Sequence, residues 1–124
     1  MTHTVNYKER KTFEIYDKEH ALLYLNEQAV EIPDDETGES VPGFSYTGNM
    51  PDGGTLVVAS GVTEANRRDK FISGLIGLSY DMDAQIAVLA NSNDTPEHGA
   101  ELAAFASTRA DAKRQIDAML SRTL

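Results

Sequence analysis

The stretch 96–122 constrains this chain more than any other, because it reads as one long helix with a clear start. Thr95 offers a capping hydroxyl, Pro96 takes the first helical position, where its missing N–H costs nothing, and Glu97 puts an acid at the positive end of the dipole. Leu102, Phe105, Arg109, Ala112, Ile116 and Met119 then step alternately by three and four, a heptad-like stripe on one face. Acids lead (Glu97, Glu101) and bases trail (Lys113, Arg114, Arg122), as the macrodipole favours. Such a helix is about 40 Å long at 1.5 Å per residue, whereas a compact chain of this length has a radius of gyration of roughly 14 Å. The helix is therefore predicted to overhang the globule and leave its stripe open to a protein partner or a second copy.

Two shorter helices precede it. Thr63 is an N-cap for a helix over 63–78, in which Asn66, Arg67, Arg68, Asp69 and Lys70 are solvated and Phe71, Ile72, Leu75, Ile76 and Leu78 form the apolar face. Gly74 and Gly77 each cost about 1 kcal/mol relative to Ala, so they point to close approach of another backbone, or to a helix end near Leu78. Asp81 caps a second helix over 82–91, with Met82, Ile86, Leu89 and Ala90 at helical spacing, and the run Asn91-Ser92-Asn93-Asp94 stops it.

The front half reads differently. Thr12 to Tyr16 is β-rich, with Phe13 and Ile15 on one face. Asp17 can cap a helix over 18–29 striped by Ala21, Leu22, Leu25 and Ala29, and Val30-Glu31-Ile32 opens a strand. Residues 33–42 form an exposed loop carrying Asp34, Asp35, Glu36 and Glu39. Residues 43–47 and 55–59 read as a hairpin around a glycine-containing turn over 48–54. The expectation is a single α+β domain: a small β-α-β-β layer over 1–62, packed on a three-helix segment over 63–124 that ends in the long helix.

Charge narrows the function classes. The net charge is −9, and residues 1–60 hold four Lys/Arg against eleven Asp/Glu. An acidic field repels phosphate backbones, which argues against nucleic acid as a partner, and the cluster Arg67, Arg68, Lys70 reads as a solvated helix face. The chain has no cysteine, hence neither a disulfide framework nor a thiolate site. No stretch has the apolar length of a membrane span and the first residues carry no apolar signal core, so the expectation is a soluble, cytoplasmic protein without a membrane partner.

The familiar chemical patterns do not assemble. The acids of 34–39 are mostly consecutive, unlike the alternate ligands of an EF-hand. His3, His20 and His98 lie in unrelated segments without zinc spacing. No Gly-x-Ser-x-Gly elbow is present, and Gly74-x-x-Gly77 sits in an apolar run without the lysine of a phosphate loop. The five tyrosines are scattered and read as core-edge residues. These patterns single out no catalytic, cofactor-binding or metal-binding residue. A rival reading places a small enzyme's acidic site between the loops 33–42 and 48–54, with Asp34, Asp35 and Asp52 converging.

Across the second half, Arg67-Arg68-Asp69-Lys70, Tyr80-Asp81 and then Glu101, Phe105, Arg109 and Lys113 occur in an order that resembles small proteins encoded in phage or prophage tail regions of gut bacteria. The shared features are a short mixed front part, an apolar helix ending in an aromatic and a capping acid, a polar break with a proline, and a long charged helix. That resemblance implies virion or tail assembly, or assembly chaperoning, by protein contact. The leading expectation is a non-enzymatic interaction protein using Leu102, Phe105, Arg109, Ala112, Ile116 and Met119.

Overall fold

A computed structural model describes residues 1–91 and 96–124; the expected stop over Ser92-Asn93-Asp94 and the cap at Thr95 fall outside the described residues. In chain order the elements are β1 (His3–Tyr7), β2 (Phe13–Ile15), β3 (His20–Leu23), β4 (Gln28–Pro33), β5 (Ser40–Gly48), β6 (Thr55–Val58), α1 (Arg67–Gly77), α2 (Met82–Asn91) and α3 (Pro96–Leu120). The strands make two antiparallel three-stranded sheets, ordered β1-β5-β4 and β2-β3-β6. The class is α+β.

Ala21 to Leu25 decide the layering. All five are buried, and strand alternation sends them to opposite sides. Ala21, Leu23 and Leu25 join Val57, Phe71, Ile116 and Met119 under the helices. Leu22 and Tyr24 join Tyr46 against the other sheet. The β2-β3-β6 sheet is therefore the middle layer, covered on both faces.

This covering is why the helix expected over 18–29 does not form. A short continuous apolar run suits a strand buried on both sides as well as a helix, and periodicity alone does not separate the two. Asn26 takes a left-handed conformation, φ 58°, and turns the chain out of the middle sheet towards β4. Ala29, which the helical stripe would have buried, is exposed. Every element before Asn66 is a strand, so the front part is two stacked sheets instead of a β-α-β-β layer.

The expected hairpin of 43–47 with 55–59 is also corrected. Both strands form, but β5 pairs with β1 and β4 while β6 pairs with β3. The turn over 48–54 carries the chain between layers, using Gly53 at φ 85° and the Asn49 amide, whose Oδ1 accepts the Leu56 N–H at 2.9 Å. The hairpin partner of β5 is β4. The acidic stretch 34–39 is its turn, closed by Asp34 N–H to Glu39 O and Gly38 N–H to Asp34 O, both 2.8 Å.

The expected cap at Thr63 is corrected: α1 starts at Arg67 with Asn66 as its N-cap, and Thr63 closes the turn before it, its Oγ1 accepting the Asn66 N–H at 3.3 Å while Asn66 Oδ1 accepts the Thr63 N–H at 2.7 Å. Gly74 is the close approach, since a Cβ there would lie 2.6 Å from the Val58 carbonyl oxygen; Gly77 ends α1 with nothing within 4 Å. Asp81 Oδ1 accepts the Ala84 N–H at 2.7 Å and starts α2.

The open stripe on α3 is overturned. Phe105, Ala112, Ile116 and Met119 are exposed by only 3, 3, 0 and 0 %. Residues of α1 and of the middle sheet lie over them. Heptad spacing specified an apolar face, and the chain's own layers, brought close by Gly74, supply its cover. Among the described residues no helix is long and apolar enough to cross a membrane.

Candidate functional site

Two places on the molecule combine cavity, charge and apolar surface. The first is a groove of about 500 Å³ among the three helices. Its floor is apolar: Ile72 and Ile76 come from the buried side of α1, and Phe105 comes from α3. Tyr80 meets the Phe105 ring edge-on at 4.9 Å, a geometry that fixes both rings. Gln85 and Leu89 of α2 form one wall, and Arg68, Arg109 and Lys113 supply cations at the rim.

The three rim cations are not equivalent. Arg68 grips Asp117 with a two-point fork, Nε to Oδ1 at 2.7 Å and Nη2 to Oδ2 at 3.1 Å. The fork raises the Arg68 pKa and holds the Asp117 carboxyl below its usual range. Arg109 lies over the Phe105 ring at 5.9 Å. Among the described residues neither Arg109 nor Lys113 takes part in an ion pair. The two are one helical turn apart on α3, so they present adjacent positive charges.

Beside the groove, α2 exposes Met82, Ile86 and Leu89 by 68, 57 and 55 %. These positions step by four and three and so share a face. The Met82 end borders a second cavity of about 310 Å³, with Val58, Leu78 and Tyr80 in its walls. Leu78 and Val58 are themselves exposed. Contiguous exposed apolar surface of this kind marks contact sites.

The six stripe residues therefore separate. Phe105 and Arg109 reach the groove, one as floor and one as rim. Leu102 packs half-buried at the edge of the core, while Ala112, Ile116 and Met119 belong to its interior. Lys113, Ile72 and Ile76 carry no local sequence signal of a site. Lys113 is one of the trailing bases of α3, and only its position one turn after Arg109 singles it out.

The second place is a clamp between α3 and the sheets. Tyr7, Tyr24 and Tyr46, scattered in sequence, stack against one another with ring centroids 5.6 to 6.2 Å apart. Lys11 Nζ lies 4.5 Å and 5.1 Å from the Tyr7 and Tyr24 ring centres. Arg10 forks onto Glu27, Nη2 to Oε1 at 2.8 Å and Nε to Oε2 at 3.0 Å, and the Tyr46 hydroxyl donates to Oε2 at 2.8 Å. Arg122, two residues beyond α3, reaches the same carboxylate with Nε at 3.3 Å. Its Nη1 donates to the carbonyls of Lys11 and Tyr24. Its guanidinium lies over the Tyr46 ring at 5.3 Å.

Burial alone would raise the Glu27 carboxyl, but the hydrogen bonds from Arg10 and Tyr46 and the charge of Arg122 outweigh it and hold the group below its ordinary value. Burial and the bond to Asp52 push the Tyr24 phenol far up. A cleft of about 310 Å³ opens beside the clamp, between it and α3.

The acids of the rival enzyme reading do not converge. The turn over 34–39 and the turn over 48–54 sit at opposite ends of β5, which at about 3.4 Å per residue separates them by roughly 27 Å. Asp34 Oδ1 accepts the Glu36 N–H as turn chemistry. Asp52 Oδ1 accepts the Gly54 N–H, and its Oδ2 accepts the Tyr24 hydroxyl. Among the described residues no group of three or more His, Asp or Glu is placed to hold a metal ion. Comparison with known proteins finds no family model, curated protein or solved structure that matches the chain.

Proposed function

We propose that this chain is a non-enzymatic interaction protein that docks an acidic, amphipathic segment of another protein into the groove among α1, α2 and α3. One observation carries the reading: an apolar floor of Ile72, Ile76 and Phe105 lies between the exposed apolar stripe of α2 and the adjacent cations Arg109 and Lys113. A helix laid there gains apolar burial from its greasy face, and its acids meet cations that no carboxylate of the described chain holds. The wider chain is strongly acidic, so two such cations beside a groove are a local exception that selects for negative partners. The resemblance to phage tail-region proteins agrees with docking by protein contact and makes assembly the process served.

Two labelled peptides with identical leucine positions, one with glutamates and one with lysines on the polar face, test this by fluorescence anisotropy. The acidic peptide is expected to bind, more weakly as salt rises. Changing Arg109→Glu with Lys113→Glu should lower its affinity at least about tenfold and favour the lysine peptide. Equal binding of both peptides, or indifference to the charge reversal, overturns the reading. Concentration-dependent dimerisation that buries the α2 stripe would assign the groove to a second copy instead.

A further inference from the structure

The clamp holds more positive charge than it balances. Arg10 and Arg122 converge on one carboxylate, Glu27. The Arg122 side chain is 7 % exposed and that of Glu27 17 %. A guanidinium taken this far from water is normally matched by its own anion. Here two share one, and a third, Arg114, lines the same cleft. We propose that the cleft bounded by Arg10, Arg122 and Arg114 binds a small oxyanion, a carboxylate or a phosphate.

The acids that pair with these guanidiniums are already committed. Glu27 receives Arg10 on both oxygens and Tyr46 on Oε2. Asp111 receives Arg114 and the Gln115 amide, the latter on Oδ2. With both counted, three guanidiniums stand against two carboxylates around the cleft, leaving one positive charge over. The Arg122 Nη1 is used twice by backbone carbonyls, and among the described residues its Nη2 makes no hydrogen bond. Desolvation lowers the Arg122 pKa against the raising influence of Glu27 and Tyr46, and the neighbouring charge of Arg10 adds to the lowering. The charge of a bound anion would offset both effects. Guanidinium forks match the two-oxygen edge of a carboxylate or a phosphate alike, and a cleft of about 310 Å³ has room for either.

The site is independent of the docking groove, because it shares no lining residue with it. The test uses the full chain at fixed ionic strength in chloride, with inorganic phosphate or succinate exchanged in, read by thermal melting and by amide shifts of Asn26, Glu27 and Gln115. A saturable rise in melting temperature is expected with at least one probe, and which one acts distinguishes a tetrahedral from a planar ligand. Arg114→Gln, an exposed change at the mouth, should weaken the apparent affinity about five- to tenfold, with its melting temperature in chloride unchanged. Glu27→Gln should bind the same probe more tightly and recover stability on binding it. If that variant does not fold, Arg114→Gln decides alone. Arg109→Glu with Lys113→Glu should leave the response intact. Phosphate and succinate acting no differently from chloride, or a response that Arg114→Gln leaves unaltered, overturns the proposal.

Discussion

The helices α1 and α2 have 11 and 10 residues, yet the more apolar of the two is the less buried. α1 opens on Arg67, Arg68, Asp69 and Lys70 and still buries Phe71, Ile72 and Ile76. α2 carries one charged residue, Asp83, and leaves Met82, Ile86 and Leu89 largely exposed, with Val88 buried. Composition did not set this difference. α1 is seated on β6 through the gap at Gly74, whereas α2 rests on α3 from outside. Among the described residues α2 keeps an exposed apolar face, and the proposed docking would use it together with the floor that the covered helix supplies.

The contrast can be broken by substitution. Phe71→Ala should cost about 3–5 kcal/mol in urea unfolding, as a large buried side chain lost from a packed core; a loss below about 1 kcal/mol would mean that α1 is not the covered helix. Gly74→Ala should cost about 1–3 kcal/mol, because the added methyl meets the Val58 carbonyl and overpacking outweighs the propensity gain. Gly77→Ala, one turn on with open space around it, should instead stabilise by about 0.5–1 kcal/mol. Equal effects at the two glycines would remove the tight seating of α1.

Acid sharpens the same comparison by attacking the anchor of α3. Glu27 titrates lower in the folded chain than its ordinary value of 4.5, so the unfolded chain takes up the proton first. The clamp's contribution is complete above that value and is lost as pH falls through the folded-state pKa. Hydrogen exchange as pH falls below 4.5 should show the last turns of α3 losing protection, and Glu27→Gln should flatten the dependence of stability on pH in this window. The smallest effect is expected on the open side. Ile86→Ser should change stability by no more than about 0.5 kcal/mol while abolishing capture of the acidic peptide. A large loss of stability there would show that α2 is core.

Much of the helical half was legible because its signals are local. The cap at Asp81, the proline start at Pro96 and the apolar spacing of α3 are read within a turn or two of chain. The strands were harder, since Ala21 to Leu25 look alike whether a helix buries one face or two layers bury both. The clamp had no readable signature: Arg10, Glu27, Tyr46 and Arg122 are spread over most of the chain, and none carries a local pattern. Of the groove, Phe105 and Arg109 lay within the stripe, but Ile72, Ile76 and Lys113 became site residues only when three helices were brought together.

By itself the sequence determined that the second half would carry three helices, that α3 would have one apolar face, and that the chain would be strongly acidic. These follow from propensity, capping and composition, which act over a few residues. The tertiary structure alone decided which apolar face is covered. Coverage depends on which backbones approach closely enough to exclude water, and here a missing side chain at Gly74 let α1 close on β6 and a guanidinium at Arg122 tied the end of α3 to the sheets, while α2 kept an exposed face.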